Sequence, residues 1–223
     1  PHLHATLTTP MRMTLLLTAA LATAASAAER WALVTGASSG IGESLARRAA
    51  AKRYNILLAA RRRPRLDALA AELRSEGVAV DIVVCDLSTP SGVHALCAAS
   101  AGLDMGLVCL NAGVCLPARQ FSRQPPAEVD SMLDLNVRAT TRLLGHFGES
   151  MAISGRGGHL LLIASSAGTA PGVPGVSVYA ATKAYLRSLS AGVGAELRRR
   201  RSGVSVTCAL PSAVDTEFAS ASS

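Results

Sequence analysis

Four polar side chains in the second half of the chain have types and a spacing that suit acid–base chemistry. Ser165 and Ser166 follow an apolar run, and Tyr179 and Lys183 follow a Gly/Pro-rich loop. The i, i+4 spacing of Tyr179 and Lys183 places phenol and ammonium on one helix face. A lysine charge about 4 Å from the phenol, at an effective dielectric constant of about 20, favours phenolate by about 4 kcal/mol. That would lower the tyrosine pKa from about 10 by roughly three, before desolvation opposes it. The pair predicts a proton-transfer site, although this spacing is common in helices without such a role.

A glycine-rich turn in the first half of the chain suits a phosphate ligand. The apolar run Trp31–Thr35 leads into the turn Gly36-Ala37-Ser38-Ser39-Gly40-Ile41-Gly42. The glycine spacing differs from the usual G-x-G-x-x-G, but the physical requirements are the same. Gly36 allows a tight turn, Gly40 lets a pyrophosphate approach the backbone, and Gly42 packs helix against strand. The free N–H groups of the following helix favour an anion, so the turn, including Ser38, Ser39 and Ile41, predicts a dinucleotide site.

Two arginines indicate which dinucleotide binds. Arg61 and Arg62 follow the second apolar run directly, and no acid occurs between Asn55 and Arg65. An acid near this point accepts the ribose 2′-hydroxyl of NAD, whereas an arginine accommodates the 2′-phosphate of NADP. The sequence therefore favours NADP over NAD. The competing interpretation is a solvated basic turn.

Two further turns follow the third and fourth apolar runs. Asp86-Leu87 is placed to contact adenine through the Asp86 carboxylate, and Asn111-Ala112-Gly113 to offer backbone contacts beneath adenine and ribose. Asn111 also suits a bracing role within the sheet. Each turn alone is a weak signal.

Alternating strands and helices must position these residues. Apolar runs predict six strands, at Trp31–Thr35, Asn55–Ala60, Ala79–Cys85, Gly106–Leu110, His159–Ala164 and Val204–Leu210. Amphipathic stretches between them predict helices, among them Ile41–Lys52, Arg65–Glu76 and Val129–Met151. Repeated βαβ units predict a parallel sheet with helices on both faces. The expected fold is α/β, a single doubly wound (Rossmann) domain over residues 30–223, whose ligands bind beyond the carboxyl ends of the strands.

As a set, TGASSGIG, LNAG, a serine after the fifth strand and YAATK resemble the classical short-chain dehydrogenases/reductases. The stretch from LAARRRPRLDALAAEL to VVCDLS resembles in particular their NADP-preferring members. The resemblance runs from about Trp31 to Phe218. It implies that Tyr179 is the catalytic acid/base, that Lys183 lowers its pKa and binds the nicotinamide ribose, and that a serine holds the substrate. It also implies that Asn136 holds a water in the proton relay. The expected substrate is a small carbonyl compound or alcohol.

The family spacing leaves two candidates for the serine. Counting back from Tyr179 reaches Ser166, whereas counting forward from the strand end reaches Ser165. The difference is one residue inserted in the loop. Loop insertions cost little, whereas a one-residue shift in a strand turns the side chain to the other face. This argument favours Ser165 slightly and leaves Ser166 open.

The chain departs from the family pattern at its carboxyl end. The family usually has Pro-Gly after the sixth strand, and this chain has Pro211-Ser212. Contacts from Pro211, Val214 and Thr216 to the nicotinamide are expected, although Ser212 puts the last two in question. Family members continue beyond this point with a seventh strand, so we expect that strand to be missing. The alternatives to a reductase are a non-catalytic NADP-binding regulator and an inactive truncated product.

Composition and charge narrow the remaining classes. The chain has 223 residues and a formal charge of +7, with only 3% aromatic residues. Its arginine clusters lack interleaved aromatics, so a nucleic-acid partner is not expected. The histidines and five cysteines show no metal-binding spacing, and the cysteines are expected to be buried and reduced. Relatives commonly associate through their long helices, so a homodimer or homotetramer is possible.

The first 29 residues are expected to lie outside the folded domain. Met11–Ala27 has a positive residue, a short apolar stretch and an Ala-Ser-Ala exit, which is typical of a signal or organelle-targeting segment. It is too short for a convincing membrane span, and a plain Ala/Leu-rich helix is the competing interpretation. The protein is cytoplasmic on the second interpretation and enters the secretory pathway or an organelle on the first.

Overall fold

A computed structural model of the chain describes residues 30–212. In that range six strands form one sheet: β1 (Trp31–Thr35), β2 (Asn55–Ala60), β3 (Val80–Val84), β4 (Met105–Leu110), β5 (Gly158–Ile163) and β6 (Val204–Ala209). Their order is β3-β2-β1-β4-β5-β6, and every neighbouring pair is parallel. The predicted doubly wound α/β fold is confirmed. The predicted strands β1 and β2 have the observed bounds, and the other four differ by one or two residues.

Helices connect the strands and cover both faces of the sheet. They are α1 (Gly40–Ala51), α2 (Arg63–Ser75), α3 (Pro90–Ala99), α4 (Pro126–Leu133), α5 (Thr140–Ser154) and α6 (Ser177–Arg199). Apolar side chains of α1 and α2 pack on one face, and those of α3, α5 and α6 pack on the other. Central strand residues such as Leu33 and Val108 are fully buried, because a parallel sheet covered on both sides has no solvent-facing surface.

The stretch predicted as one helix over Val129–Met151 is interrupted. A π-helical segment, Asp134–Ala139, separates α4 from α5. Its wider turn adds a residue to the helical repeat, and such segments are frequent at functional sites. Asn136 lies in this segment and is fully buried, so this polar side chain faces the interior of the domain.

Strand order reverses between β1 and β4, which pair directly although β2 and β3 intervene in the sequence. The connections after these two strands leave on opposite sides of the sheet. The carboxyl ends of the strands therefore open into a crevice at this point.

Candidate active site

The crevice encloses about 610 Å³ and brings together most of the residues selected from the sequence. Those that line it are Gly36, Ser38, Ser39, Gly40, Ile41, Arg61, Arg62, Asp86, Leu87, Asn111, Ala112, Gly113, Ser165, Ser166, Tyr179, Lys183 and Pro211. Gly42 and Asn136 are buried behind this lining. Val214 and Thr216 lie outside the described residues.

Several lining residues were not selected from the sequence. Most of them are close neighbours of the predicted site residues at the strand ends, and this position is the sequence signal that could have identified them. They are Ala59, Ala60, Cys85, Val114, Ile163, Ala164, Ala167 and Ser212. Cys115 and Leu135 also line the crevice. No motif marks these two, because the first lies in an irregular segment and the second in the π-helical segment.

The glycine-rich turn has the backbone that the dinucleotide prediction requires. Gly36 and Gly40 have φ values of 67° and 57°, a left-handed conformation that other residues rarely adopt. A Cβ at Gly42 would lie 2.2 Å from the Gly36 carbonyl oxygen, so only glycine allows helix and turn to approach this closely. The Ser39 side chain makes no capping hydrogen bond at the start of α1. The first residues of the helix, Gly40 and Ile41, line the crevice, and uncapped amides at a helix start favour an anion.

Asn111 braces the sheet, which is the alternative role that its position suggested. Its Nδ2 donates to the Thr35 carbonyl over 2.9 Å, and its backbone N–H donates to the Thr35 hydroxyl over 2.9 Å. The Ala112 N–H donates to the same hydroxyl over 3.0 Å. The ends of β1 and β4 are thus tied together, and the turn at 111–113 is left facing the crevice.

The two arginines and Asp86 form a charged wall at the β2 and β3 end. The guanidinium of Arg62 donates to the hydroxyls of Ser38, over 3.0 Å, and Ser39, over 2.7 Å. Arg61 is exposed at the mouth. Burial works against the charged form of Asp86, but hydrogen bonds from the hydroxyl and amide of Ser88, together with the Arg61 charge, hold the Asp86 pKa below its ordinary value. Asp86 is therefore an anionic acceptor beside a basic mouth.

Tyr179 lies near the start of α6, with its side chain half-buried in the crevice. Burial raises the pKa of the phenol above 10, and a hydrogen bond with the Ser165 hydroxyl opposes that rise. The sequence argument expected a lowered pKa. The direction is wrong for the protein without cofactor, because desolvation outweighs the favourable contacts.

Lys183 is buried against the ring of Tyr179. Its side chain is 4% exposed, and its Nζ donates to the Ile163 carbonyl over 3.0 Å. The Nζ lies 5.6 Å from the centroid of the Tyr179 ring, on the side of the phenol's aromatic face. Burial lowers the pKa of Lys183 to about 8, so its charge is only partly retained above neutral pH. The carbonyl at the end of β5 therefore holds the lysine, whose Nζ faces the aromatic ring of Tyr179.

Asn136 joins three elements behind the lysine. Its Oδ1 accepts from the Val114 N–H over 2.9 Å, and its Nδ2 donates to the Val114 carbonyl over 2.9 Å. The same Nδ2 donates to the Thr182 hydroxyl over 3.2 Å. A Cβ added to Gly113 would lie 3.2 Å from both Asn136 Oδ1 and Lys183 Nζ. Asn136 therefore ties the turn after β4 to α6, next to the ammonium.

The two serines have different environments at the end of β5. Ser165 is half-buried, makes the hydrogen bond with Tyr179, and accepts from the Ala167 N–H over 3.2 Å. Ser166 is exposed, and its N–H donates to the Pro211 carbonyl over 2.9 Å. Both line the crevice, but Ser165 is the one in contact with the phenol.

Within residues 30–212 there is neither a cluster of metal ligands nor a membrane-spanning helix. No group of three or more metal-ligating side chains lies close enough to hold an ion. None of the helices described there is both long and apolar enough to cross a bilayer.

The fold and the crevice together define a doubly wound, dinucleotide-binding α/β protein. A family model for short-chain dehydrogenases matches residues 30–223. The chain therefore belongs to the short-chain dehydrogenase family.

Comparison with individual proteins supports the same family. An uncharacterized oxidoreductase of Myxococcus xanthus is 37% identical over 193 residues, which make up 85% of this chain and 74% of that protein. A very-long-chain 3-oxoacyl-CoA reductase-like protein of Arabidopsis thaliana is 30% identical over 197 residues, 85% of this chain and 61% of that protein. A short-chain dehydrogenase from Sphingobium yanoikuyae, solved with NADPH, has a TM-score of 0.80 and 37% identity over 86% of this chain and 74% of that chain. These similarities support nicotinamide-dependent oxidoreduction.

Proposed function

We propose that the chain transfers a hydride between NADP(H) and a carbonyl or secondary alcohol, with Tyr179 as general acid/base. The observation that carries this proposal is the contact between the Ser165 and Tyr179 hydroxyls in the crevice that Lys183 also lines. A protein that only bound a dinucleotide would have no need of a buried lysine beside a serine-bound phenol.

The crevice fits a nicotinamide dinucleotide. The glycine-rich turn leaves room for a pyrophosphate, and Arg61 and Arg62 would hold a 2′-phosphate. Asp86 would accept from the adenine amino group, and Lys183 would bind the nicotinamide ribose. When bound, the cofactor supplies or accepts the hydride. NAD is the competing cofactor, since one solved neighbour carries it, and the basic mouth favours NADP.

The raised pKa of Tyr179 suits the reducing direction. At neutral pH the phenol holds its proton, so it can donate that proton to a carbonyl oxygen as the oxygen gains charge. Ser165 would donate a second hydrogen bond to the same oxygen and so orient the carbonyl. The Lys183 ammonium would then stabilise the phenolate until a proton returns, with Asn136 holding a water in the return path, as the family resemblance implies.

An NADPH-oxidation assay against a panel of aldehydes and ketones tests the proposal. The wild-type chain is expected to oxidise NADPH with at least one carbonyl, and Tyr179→Phe, which loses only the hydroxyl, is expected to lose nearly all activity. Equal rates in the two proteins would refute the proposal. Tight NADPH binding without turnover would instead favour the regulatory NADP-binding protein.

The same assay separates the two serines. Ser165→Ala is expected to lower kcat about 10²-fold or more, the size of effect seen when a donor to the reacting oxygen is removed. Ser166→Ala is expected to change kcat less than about threefold, since an exposed serine away from the phenol contributes little. The reverse result would assign the role to Ser166.

Self-association through the long helices is part of the proposal. Ile153 at the end of α5 is 74% exposed, and Leu133 and Tyr185 on α4 and α6 are 36% and 39% exposed. These apolar side chains suit a helical interface between copies, which gives a dimer or tetramer. Light scattering after size-exclusion chromatography would measure the mass, and a monomer at micromolar concentration would contradict the proposal.

A further inference from the structure

A series of hydrogen bonds runs from the turn after β4 to the backbone of Tyr179, the proposed acid/base. Val114 bonds to Asn136 through both backbone groups, and Asn136 Nδ2 donates to the Thr182 hydroxyl over 3.2 Å. The Thr182 hydroxyl has one proton, which it donates to the Tyr179 carbonyl over 2.7 Å. Thr182 and Asn136 are 1% and 0% exposed. Water therefore cannot replace the hydroxyl as a partner of Asn136.

This series of hydrogen bonds holds a tightly packed part of the site. The position of a Cβ on Gly113 is 3.2 Å from both Asn136 Oδ1 and Lys183 Nζ. A rotation of the Asn136 amide would break the bonds to Val114, move the turn, and change the space around the ammonium. The hydroxyl of Thr182 opposes this rotation, because it gives the second N–H of Asn136 a partner on α6.

We infer that Thr182 is a positioning residue for the proposed reaction: through Asn136 it holds the turn at 113–114 against Lys183. The inference rests on the proposed function. A purely local role is the alternative, since a threonine hydroxyl often bonds the carbonyl one helical turn earlier. That local bond would stabilise α6 without involving Asn136, and the two roles predict different results.

Thr182→Val tests the inference, because valine keeps the shape of threonine and removes the hydroxyl. One buried N–H of Asn136 then has no partner, and we expect kcat for carbonyl reduction to fall about 5- to 30-fold. The KM for the carbonyl is expected to stay within about twofold, since Thr182 does not line the crevice. Thr182→Ser, which restores the hydroxyl, is expected to recover most of kcat. Unchanged kcat in Thr182→Val would overturn the inference.

Hydrogen exchange gives a readout that does not depend on activity. The Val114 amide, which donates to Asn136, is expected to exchange about fivefold or more faster in Thr182→Val than in wild type or Thr182→Ser. The Leu33 amide, in the centre of β1, is the reference and is expected to exchange at the wild-type rate. An unchanged Val114 rate, or equal acceleration at both amides, would refute the positioning role. If the wild-type chain reduces no carbonyl but Val114 responds as expected, the proposed function fails and the hold of Thr182 on Asn136 stands.

Discussion

Replacing Lys183 by methionine is expected to stabilise the fold and to abolish activity. Lys183 is one of only two lysines in the chain, and it is 4% exposed. Methionine fills a similar volume without a charge, so it removes a buried ammonium and leaves packing largely unchanged. The proposed reaction loses the charge that stabilises the phenolate.

The pKa of the lysine gives the magnitude. Burial lowers it to about 8, from an ordinary value of 10.5. At about 1.4 kcal/mol for each pKa unit, burying the charged form costs about 3 kcal/mol at neutral pH. Methionine removes that cost, but it leaves the Ile163 carbonyl without its 3.0 Å partner, which costs about 1 kcal/mol. The net expectation at pH 7 is a gain of about 2 kcal/mol in unfolding free energy.

The stability gain of Lys183→Met is expected to fall as the pH rises. Between pH 8 and 10.5 the unfolded chain keeps the Lys183 proton and the folded chain releases it, so wild-type stability rises with pH relative to the variant. Lys183→Met is therefore more stable at pH 7, the difference shrinks above pH 8, and the order reverses at about pH 10. Urea unfolding at a series of pH values measures the difference directly.

Lys52 provides the matched control, because it is the other lysine and it is exposed. Lys52→Met is expected to change the unfolding free energy by less than about 0.5 kcal/mol at every pH. A Lys183→Met protein that is less stable than wild type at pH 7, or a difference that does not change with pH, would refute the claim that the buried ammonium carries a desolvation cost.

Three further predictions follow from other parts of the site. The double variant Arg61→Ala/Arg62→Ala is expected to raise the Kd for NADPH at least tenfold, since each charge-assisted hydrogen bond contributes about 1.5–3 kcal/mol. The Kd for NADH is expected to stay nearly unchanged. Fluorescence titration measures both constants, and an equal loss of affinity for the two cofactors would contradict NADP preference. Gly42→Ala is expected to lower the unfolding free energy by about 1–3 kcal/mol, because its Cβ would lie 2.2 Å from a carbonyl oxygen, whereas Gly145→Ala, with open space around the Cβ, is not destabilised. Cys109, fully buried and with its pKa raised by burial to about 12, is expected to resist thiol reagents at pH 8 until the protein unfolds; mass mapping of labelled peptides detects any earlier reaction.

The sheet could be predicted from the sequence because its signals are local and repeated. Strands buried on both faces appear as continuous apolar runs, and the turns after β1, β2, β3 and β4 contain residues that ligands require. Parallel pairing then brings these turns to one edge without any knowledge of distant contacts. The turns that line this part of the crevice follow from this reasoning, whereas Ala59, Ala60 and Cys85 also line it and were not predicted.

The electrostatics around Tyr179 and Lys183 could not be predicted in the same way. Sequence spacing places Tyr179 and Lys183 on one helix face, but it does not show how deeply they are buried. Burial determines the direction of both pKa shifts: it raises the pKa of the tyrosine and lowers that of the lysine. The attraction between the Lys183 charge and the phenolate was expected to have the larger effect on the Tyr179 pKa. The structure buries the lysine beneath the ring, bonded to a carbonyl of β5, so the cost of desolvation is larger than the attraction.

The π-helical segment is a second feature that could not be predicted from the sequence. Amphipathic spacing predicts one continuous helix, and a one-residue widening over Asp134–Ala139 leaves almost no trace in that spacing. That widening accompanies an inward-facing Asn136, whose amide bonds Val114 and Thr182. An asparagine with three hydrogen-bond partners is a specific choice, since no apolar side chain could bond both backbone groups of Val114 and the Thr182 hydroxyl. The polar residue in the middle of the expected helix is therefore the link between the turn after β4 and α6.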